Sequence, residues 1–420
     1  MICSLEELDV AYSWVCKLRL EYSPHNDIWN LRRHWETLKE NLLMDINSGT
    51  YQFSTIDVYE IDDALISLWS SQDMIVLKLI TNALFCHVSP HLPPTCYHVK
   101  GRGGLKKAVR DTAQEVFSYK NPLRMEEHSA QNHGKDHYAE SSYHYIFRSD
   151  VKSYYDSIDF EVLMAIIKKY VSDPILITLL KKAMVRTETK GGLYTFFEFK
   201  GLPMGSPLSP LLGAIALLPL DQAMGSIKDI FYARYMDDWV VLTKTKTALR
   251  KVIKKTHHIM KDLKLHLHPT KTYIGKISHG FNFLGYYMDD KTLLPSSETI
   301  RRMSERATAL YEHGAQKGNR RRSVHPRDIS EYHANEPKPF DSEWAARLAV
   351  IQERAKNKPN ICVSLRRYVT RWGRWLMLGL GKIDHHFEAS LRRCLPQLIS
   401  LVRPATAVCL FRPHTAHYIK

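Results

Sequence analysis

No Cys-x-x-Cys pair occurs in this sequence. Its seven cysteines stand alone at 3, 16, 86, 96, 362, 394 and 409. That excludes a zinc ribbon or a cysteine-rich nuclease module and suits thiols kept free in a reducing cytoplasm. The opening Met-Ile-Cys-Ser-Leu-Glu-Glu lacks the basic start and apolar stretch of a secretion signal. Apolar runs such as Leu211 to Leu220 are too short to cross a bilayer, so no membrane partner is expected. Internal repeats are missing, and low complexity is confined to a polar, Arg-rich linker near Lys317 to Pro339. The glycine cluster Gly101 to Gly104 is not a Walker loop, because no helix and no Lys-Ser/Thr ending are expected after it. A soluble, cytoplasmic protein is expected.

The composition is that of an ordinary globular chain, 44% hydrophobic and 25% charged, and 420 residues leave room for two or three domains. The net charge of +15 is not ordinary, and it is unevenly placed. From Lys291 to Lys420 there are 24 Lys and Arg against 11 Asp and Glu; before that, 35 against 33. A basic segment on a near-neutral body suits a polyanionic partner.

Spacing predicts the elements. Residues 1–95 are mostly helical, with Trp29 to Trp35 opening an amphipathic stretch and Gly49 to Phe53 turning into extended chain. A second apolar helix is expected over 64–87. The Gly101 to Gly104 cluster reads as a hairpin turn flanked by Lys100, Lys106, Lys107 and Arg110. Such a turn either brings its backbone close to phosphates or is simply a basic surface. Residues 143–151 alternate as a strand with Ile146, Arg148 and Asp150 on one face. A helix from Phe160 to Val171 is capped by Asp159. Pro203 to Pro210 forms a loop into a helix from Leu211 to Met224. Lys251 to Lys264 is an amphipathic helix, and Phe281 to Met288 a short strand pair. Helix resumes after Pro295.

The chemistry concentrates in Phe231-Tyr-Ala-Arg-Tyr-Met-Asp-Asp-Trp-Val-Val-Leu242, which reads as a hairpin with Asp237 and Asp238 at a solvent-exposed turn. Adjacent carboxylates repel, so a turn gains nothing structural from two. A divalent cation removes the repulsion, and Mg²⁺ favours a few carboxylates plus substrate phosphates. If the hairpin packs beside the strand that ends at Asp150, three carboxylates meet at one sheet edge. Such a set can hold two metal ions about 4 Å apart for phosphoryl transfer.

Five segments, in order, resemble the motifs of reverse transcriptase polymerase domains. Ser149 to Ile158 is similar to the first catalytic motif, Lys200 to Pro210 to the nucleotide-pocket loop and Tyr235-Met-Asp-Asp238 to the signature box. His268-Pro-Thr-Lys-Thr272 resembles the lysine motif and Gly280 to Tyr286 the primer grip. Together they cover roughly residues 95–290. The pattern from Trp29 to Phe53 also resembles the group II intron-like bacterial members.

The resemblance implies an α+β right-hand polymerase: fingers over 1–145, an antiparallel palm sheet over 146–290 and a basic helical thumb over 291–420. It implies that Asp150, Asp237 and Asp238, with Val151 beside them, hold two Mg²⁺, or Mn²⁺ in their place. Tyr155 would be the ring that collides with a ribose 2′-hydroxyl, the alternative being a core tyrosine. Lys100, Lys106 and Arg110 would grip the triphosphate of a dNTP from the fingers hairpin. Met204 and Gly205 would line the pocket. Lys271 would protonate the pyrophosphate leaving group, or be a surface lysine. Many members carry a glutamine where Met204 stands, and a thioether cannot replace an amide's hydrogen bonds, which bears on fidelity.

In the expected thumb, Leu365, Tyr368, Val369, Trp372, Trp375 and Leu376 recur at helical core spacing, which leaves Arg366, Arg367, Arg371 and Arg374 for phosphates. Both tryptophans are expected in the core rather than stacked on bases. Arg320 to Arg322 is either a further RNA contact or a solvated run. Nothing resembles an RNase H, integrase or zinc-bearing endonuclease module. The pattern resembles the "unknown group" enzymes, several of which serve in antiphage defence beside a noncoding RNA. The leading expectation is therefore an RNA-directed DNA polymerase that copies a dedicated noncoding RNA through an RNA–DNA duplex. The alternatives are untemplated or protein-primed DNA synthesis, or a maturase-like RNA-binding protein.

Overall fold

Ser4 opens the first helix: its hydroxyl accepts from the Glu7 amide while the Glu7 carboxylate accepts from the Ser4 amide. Helices α1 (Leu5–Leu18), α2 (Asp27–Arg33) and α3 (Trp35–Ser48) follow. The computed structural model describes residues 2–61, 64–117, 143–312, 359–380 and 387–390. Gly49, at φ 74, ends α3 in the left-handed conformation that glycine adopts without cost, and the chain leaves extended.

A hairpin comes next, β1 (Ile56–Ile61) and β2 (Ala64–Leu68), paired from Asp57↔Leu68 to Ile61↔Ala64. The helix expected over 64–87 therefore starts later, as α4 (Ser71–Val88). Ser70 sets that start, since its hydroxyl accepts from the Asp73 amide, and the residues before it pair with β1. The glycine cluster is not a hairpin turn either. Gly101, Gly103 and Gly104, all at positive φ, lead into α5 (Gly104–Phe117). Ala108, Val109, Thr112, Ala113 and Val116 recur at helical spacing and are buried, and that buried stripe favours a helix over a strand.

Beyond it lie β3 (Tyr145–Ser149), the single turn α6 (Tyr154–Ser157), α7 (Phe160–Ile167), α8 (Pro174–Met184), β4 (Arg186–Lys190) and β5 (Leu193–Phe197). Asp159 caps α7 as expected. The single helix expected from Leu211 to Met224 is two, α9 (Ser209–Ala216) and α10 (Leu218–Gly225). Pro219 has no amide hydrogen to continue the ladder, so the helix restarts there. Then come β6 (Ile230–Tyr235), β7 (Asp238–Thr243), α11 (Lys246–Asp262), β8 (Tyr273–Lys276), β9 (Phe281–Phe283), β10 (Tyr286–Met288), β11 (Leu293–Pro295), α12 (Ser297–Glu312) and α13 (Pro359–Met377).

The central sheet has the order β6-β7-β3-β8, with every neighbour antiparallel. Both of its faces are buried, because alternate residues of each strand enter different cores. Phe147, Trp239 and Val241 pack with α4, α9 and α11. Ile146, Val240 and Leu242 pack with α5, the β9–β11 meander and α12. Burial on this scale contributes about 1.5–3 kcal/mol for each large apolar side chain. A second sheet, β2-β1-β4-β5, carries the amino-terminal hairpin.

In α13, Val369 and Leu376 are buried as the spacing predicts, and Arg367, Arg371 and Arg374 are exposed. Trp375 departs from expectation: it is 38% exposed. The side chains of Leu365 and Arg366, the linker over 317–339 with Arg320 to Arg322, and residues 391–420 lie outside the described residues.

Candidate active site

The central sheet brings the three aspartates together. Ser149↔Trp239 is the last pair of β3 with β7, so Asp150 leaves β3 beside the point where Asp238 enters β7. The β6–β7 hairpin closes at Tyr235↔Asp238, leaving Met236 and Asp237 as its two-residue turn. Met236 sits at φ 58, a left-handed conformation that a residue with a Cβ enters only under constraint. Asp150 is buried and Asp237 and Asp238 are half-buried. The turn expected in solvent is therefore sunk between its neighbours.

Lys271 reaches the same point by a backbone route. The Lys152 amide donates to His266 O at 2.9 Å and the His268 amide to Asp150 O at 2.8 Å, while Val151 bridges to Leu267. That lacing brings Lys271 Nζ within 3.1 Å of Asp150 Oδ2. On the other flank, Arg148 Nε and Nη2 donate to the two carboxylate oxygens of Asp238 at 3.1 and 3.0 Å.

The electrostatics are those of acids drawn away from water. Burial pushes Asp150 up to about 6 despite Lys271, and the charge of Asp238 adds to the rise. Burial and then the charge of Asp150 push Asp237 up to about 7. Among the described residues no three carboxylate, histidine or cysteine side chains already stand as a preformed metal site. Two of the aspartates face cations of the chain instead. Three hard oxygen donors crowded at one corner, with Asp150 and Asp237 raised chiefly by burial, fit a divalent ion such as Mg²⁺.

The expected nucleotide pocket is assembled from loops tied to this corner. Tyr155 on α6 is half-buried, its hydroxyl 3.7 Å from Met236 Sδ. Its carbonyl accepts from the Leu202 amide at 2.8 Å, which anchors the start of the pocket loop. Within the loop, Ser209 Oγ donates to Pro203 O at 2.7 Å. Met204 is 37% exposed. Gly205 has φ 92, and a Cβ there would lie 2.7 Å from Ser67 O on β2, so only glycine lets the loop meet the hairpin this closely.

The basic residues divide differently from expectation. Lys100 is exposed in the turn before α5. Lys106 turns away from the aspartates. It donates to Tyr286 Oη on β10 and, at 3.1 Å, to Leu376 O on α13, with its ammonium 4.2 Å from the Trp375 ring centre. Arg110 Nε lies 3.3 Å from Asp111 Oδ1. Once residues 104–117 coil, side chains at this spacing point to different neighbours instead of lining one hairpin.

Sequence reasoning placed Arg148 on the strand face with Asp150 but gave it no part in the site; its position two residues before Asp150 was the available signal. It also missed His98, Asp221 and the role of Arg234. The Met236 amide donates to His98 Nδ1 at 2.9 Å and Arg234 Nη1 donates to Met236 O at 2.7 Å. Arg234 is fully buried against Asp221. No local pattern marks these residues, because they meet only through the tertiary fold.

The family described as "Reverse transcriptase (RNA-dependent DNA polymerase)" matches residues 67–288. Protein YkfC of Escherichia coli (strain K12) is 27% identical over 176 residues, covering 34% of this chain and 46% of YkfC. Telomerase from Candida albicans, solved with a fragment of telomeric RNA, aligns at TM-score 0.47 and 10% identity over 89% of this chain and 66% of that one. Apo telomerase from Candida tropicalis aligns at TM-score 0.40 and 16% identity over 61% and 58%. The chain thus spans about half the length of the curated relative it matches. Among the described residues no helix is long and apolar enough to cross a membrane.

Proposed function

The chain belongs to the reverse transcriptase family, and from that premise we propose that it is an RNA-directed DNA polymerase acting at Asp150, Asp237 and Asp238. The observation that carries this reading is the meeting of β3 and β7, which sets Asp150 beside the Asp237–Asp238 turn at one sheet edge. In this reading residues 146–290 are the palm, the segment before them the fingers and the segment after them a basic thumb.

Asp150, Asp237, Asp238 and Val151 would hold Mg²⁺, which when bound supplies countercharge and polarises the transferring phosphate. The remaining roles belong to the chain itself. Arg148 orients Asp238 through its two hydrogen bonds. Lys271, kept in the site by Asp150, donates a proton to the departing pyrophosphate. Tyr155 blocks the ribose 2′-hydroxyl and so selects dNTPs. Gly205 holds the pocket loop against the β1–β2 hairpin.

The template in this proposal is a dedicated noncoding RNA, and the setting is antiphage defence. The pattern from Trp29 to Phe53 and the +15 charge support that part. The test is to substitute Asp237 and Asp238 with Ala and measure primer extension and RNA affinity together. Loss of extension with RNA affinity unchanged is expected; extension by the double variant would overturn the assignment. Sequencing RNA and cDNA that co-purify from cells carrying the native flanking DNA tests the template. One abundant RNA with complementary DNA is expected; DNA without a complement would mean untemplated synthesis.

A further inference from the structure

Met236 is gripped at both ends of its residue, and neither grip comes from the hairpin ladder. Its amide donates to His98 Nδ1 at 2.9 Å, and its carbonyl accepts from Arg234 Nη1 at 2.7 Å. His98 reaches this place because residues 95–97 run beside β6 as a short parallel edge. The Arg234 amide donates to Thr95 O and the Tyr97 amide to Arg234 O, both at 2.9 Å, bridging Cys96 to Arg234. Two residues further along each chain the same parallel register sets His98 opposite Met236. The ring also stands edge-on to Tyr235, 5.9 Å between centres.

The bond fixes the tautomer. Nδ1 accepts from an amide, so the neutral ring carries its proton on Nε2. Nε2 is closed off from solvent and makes no full hydrogen bond, with the Pro210 main chain as the group that favours a proton there. Burial, and then the charge of Arg234, push His98 down to about 3, so the acceptor persists at neutral pH. Asp221 holds Arg234 in turn, and Tyr232 Oη donates to the same carboxylate at 2.7 Å.

We propose that His98 is a positioning residue of the catalytic turn: by accepting the Met236 amide it holds the left-handed backbone that aims Asp237 and Asp238 at the metal. The left-handed conformation is unfavourable for a residue with a Cβ, so an external hydrogen bond that favours it decides which way the next two carboxylates face. The inference rests on the metal-site reading above and adds to it a residue outside the five motifs. Groups standing behind metal ligands in this way typically govern affinity by about 10–100-fold.

The test compares His98→Asn with His98→Gln, measuring Mn²⁺ binding by electron paramagnetic resonance and kcat and KM for dNTP. Asn places its amide oxygen where Nδ1 sits, whereas Gln carries its oxygen out to the position of Nε2. Asn is expected to keep Mn²⁺ affinity within about threefold of the native chain, and Gln to lose about tenfold with a fall in kcat rather than a rise in KM. Equal Mn²⁺ affinity in both variants would overturn the proposal. Thermal melts of the two polar variants show whether either loses the fold, and His98→Leu gives the loss with no acceptor at all. Asp237→Asn in the same assay separates the two ideas. If that variant binds Mn²⁺ as the native chain does, the metal-site reading fails; if only the His98 pair is indistinguishable, the positioning role fails alone.

Discussion

Arg148 and Asp238 form a two-point pair across neighbouring strands, with side chains only 14% and 18% exposed. The guanidinium holds the carboxylate where a divalent ion would compete for the same oxygens. Arg148→Met removes the countercharge and leaves the carboxylate half-buried. In chelator the variant should lose about 2–3 kcal/mol, somewhat less than a fully buried pair. In saturating Mg²⁺ the deficit should shrink, because the ion replaces the missing charge. Denaturant melts with and without Mg²⁺ check this, and an equal deficit in both would mean that Arg148 and the metal do not share Asp238.

The raised carboxylates fix the sign of a pH effect. Asp237 and Asp150 hold their protons in the folded state up to about 7 and 6, against an ordinary value of 3.8. Between those limits the folded chain binds more protons than the unfolded one, so metal-free stability should fall as pH rises from about 4 to 7 and level off above. Asp237→Asn cannot ionise and should show a shallower fall. Melting temperatures in chelator across that range decide it; Mg²⁺ should restore stability at the alkaline end.

Lys106 ties α5 to β10 and to the end of α13, so we propose that it acts as a strut there. Lys106→Met should leave KM for dNTP near its native value while shortening the products made in one binding event. A trap assay on a long template measures both. A rise in KM with unchanged product length would restore the role read from sequence.

Tyr155 stands against the signature turn, its hydroxyl 3.7 Å from Met236 Sδ. Removing the ring by Tyr155→Ala should raise ribonucleotide incorporation by roughly ten- to a hundredfold relative to deoxynucleotides, the scale of a steric pocket contact. Competition between UTP and dTTP in primer extension measures it. Unchanged sugar discrimination would assign the ring to the core instead.

The chemistry-bearing residues are legible in the amino-acid sequence. Asp150, Asp237 and Asp238 announce themselves by type and by the strand patterns around them, and the β6–β7 hairpin lies where the alternation around its turn predicts. Helix α7 follows from periodicity with Asp159 at its cap, and α11 does too, although it starts at Lys246 rather than at the expected Lys251. These features depend on neighbours a few residues away, so sequence alone determined them. What the tertiary structure decided is direction and depth. Gly101 to Gly104 lead into a helix because its apolar stripe finds a sheet to cover, and that helix turns Lys106 toward Leu376, 270 residues distant. Asp237 is half-buried rather than in open solvent because the β6–β7 turn lies beside the end of β3. His98 meets Met236 across 138 residues through a parallel edge on β6. A side chain's charge and shape are written in the sequence, but its partner is selected by packing, and packing is settled only when distant segments fold together.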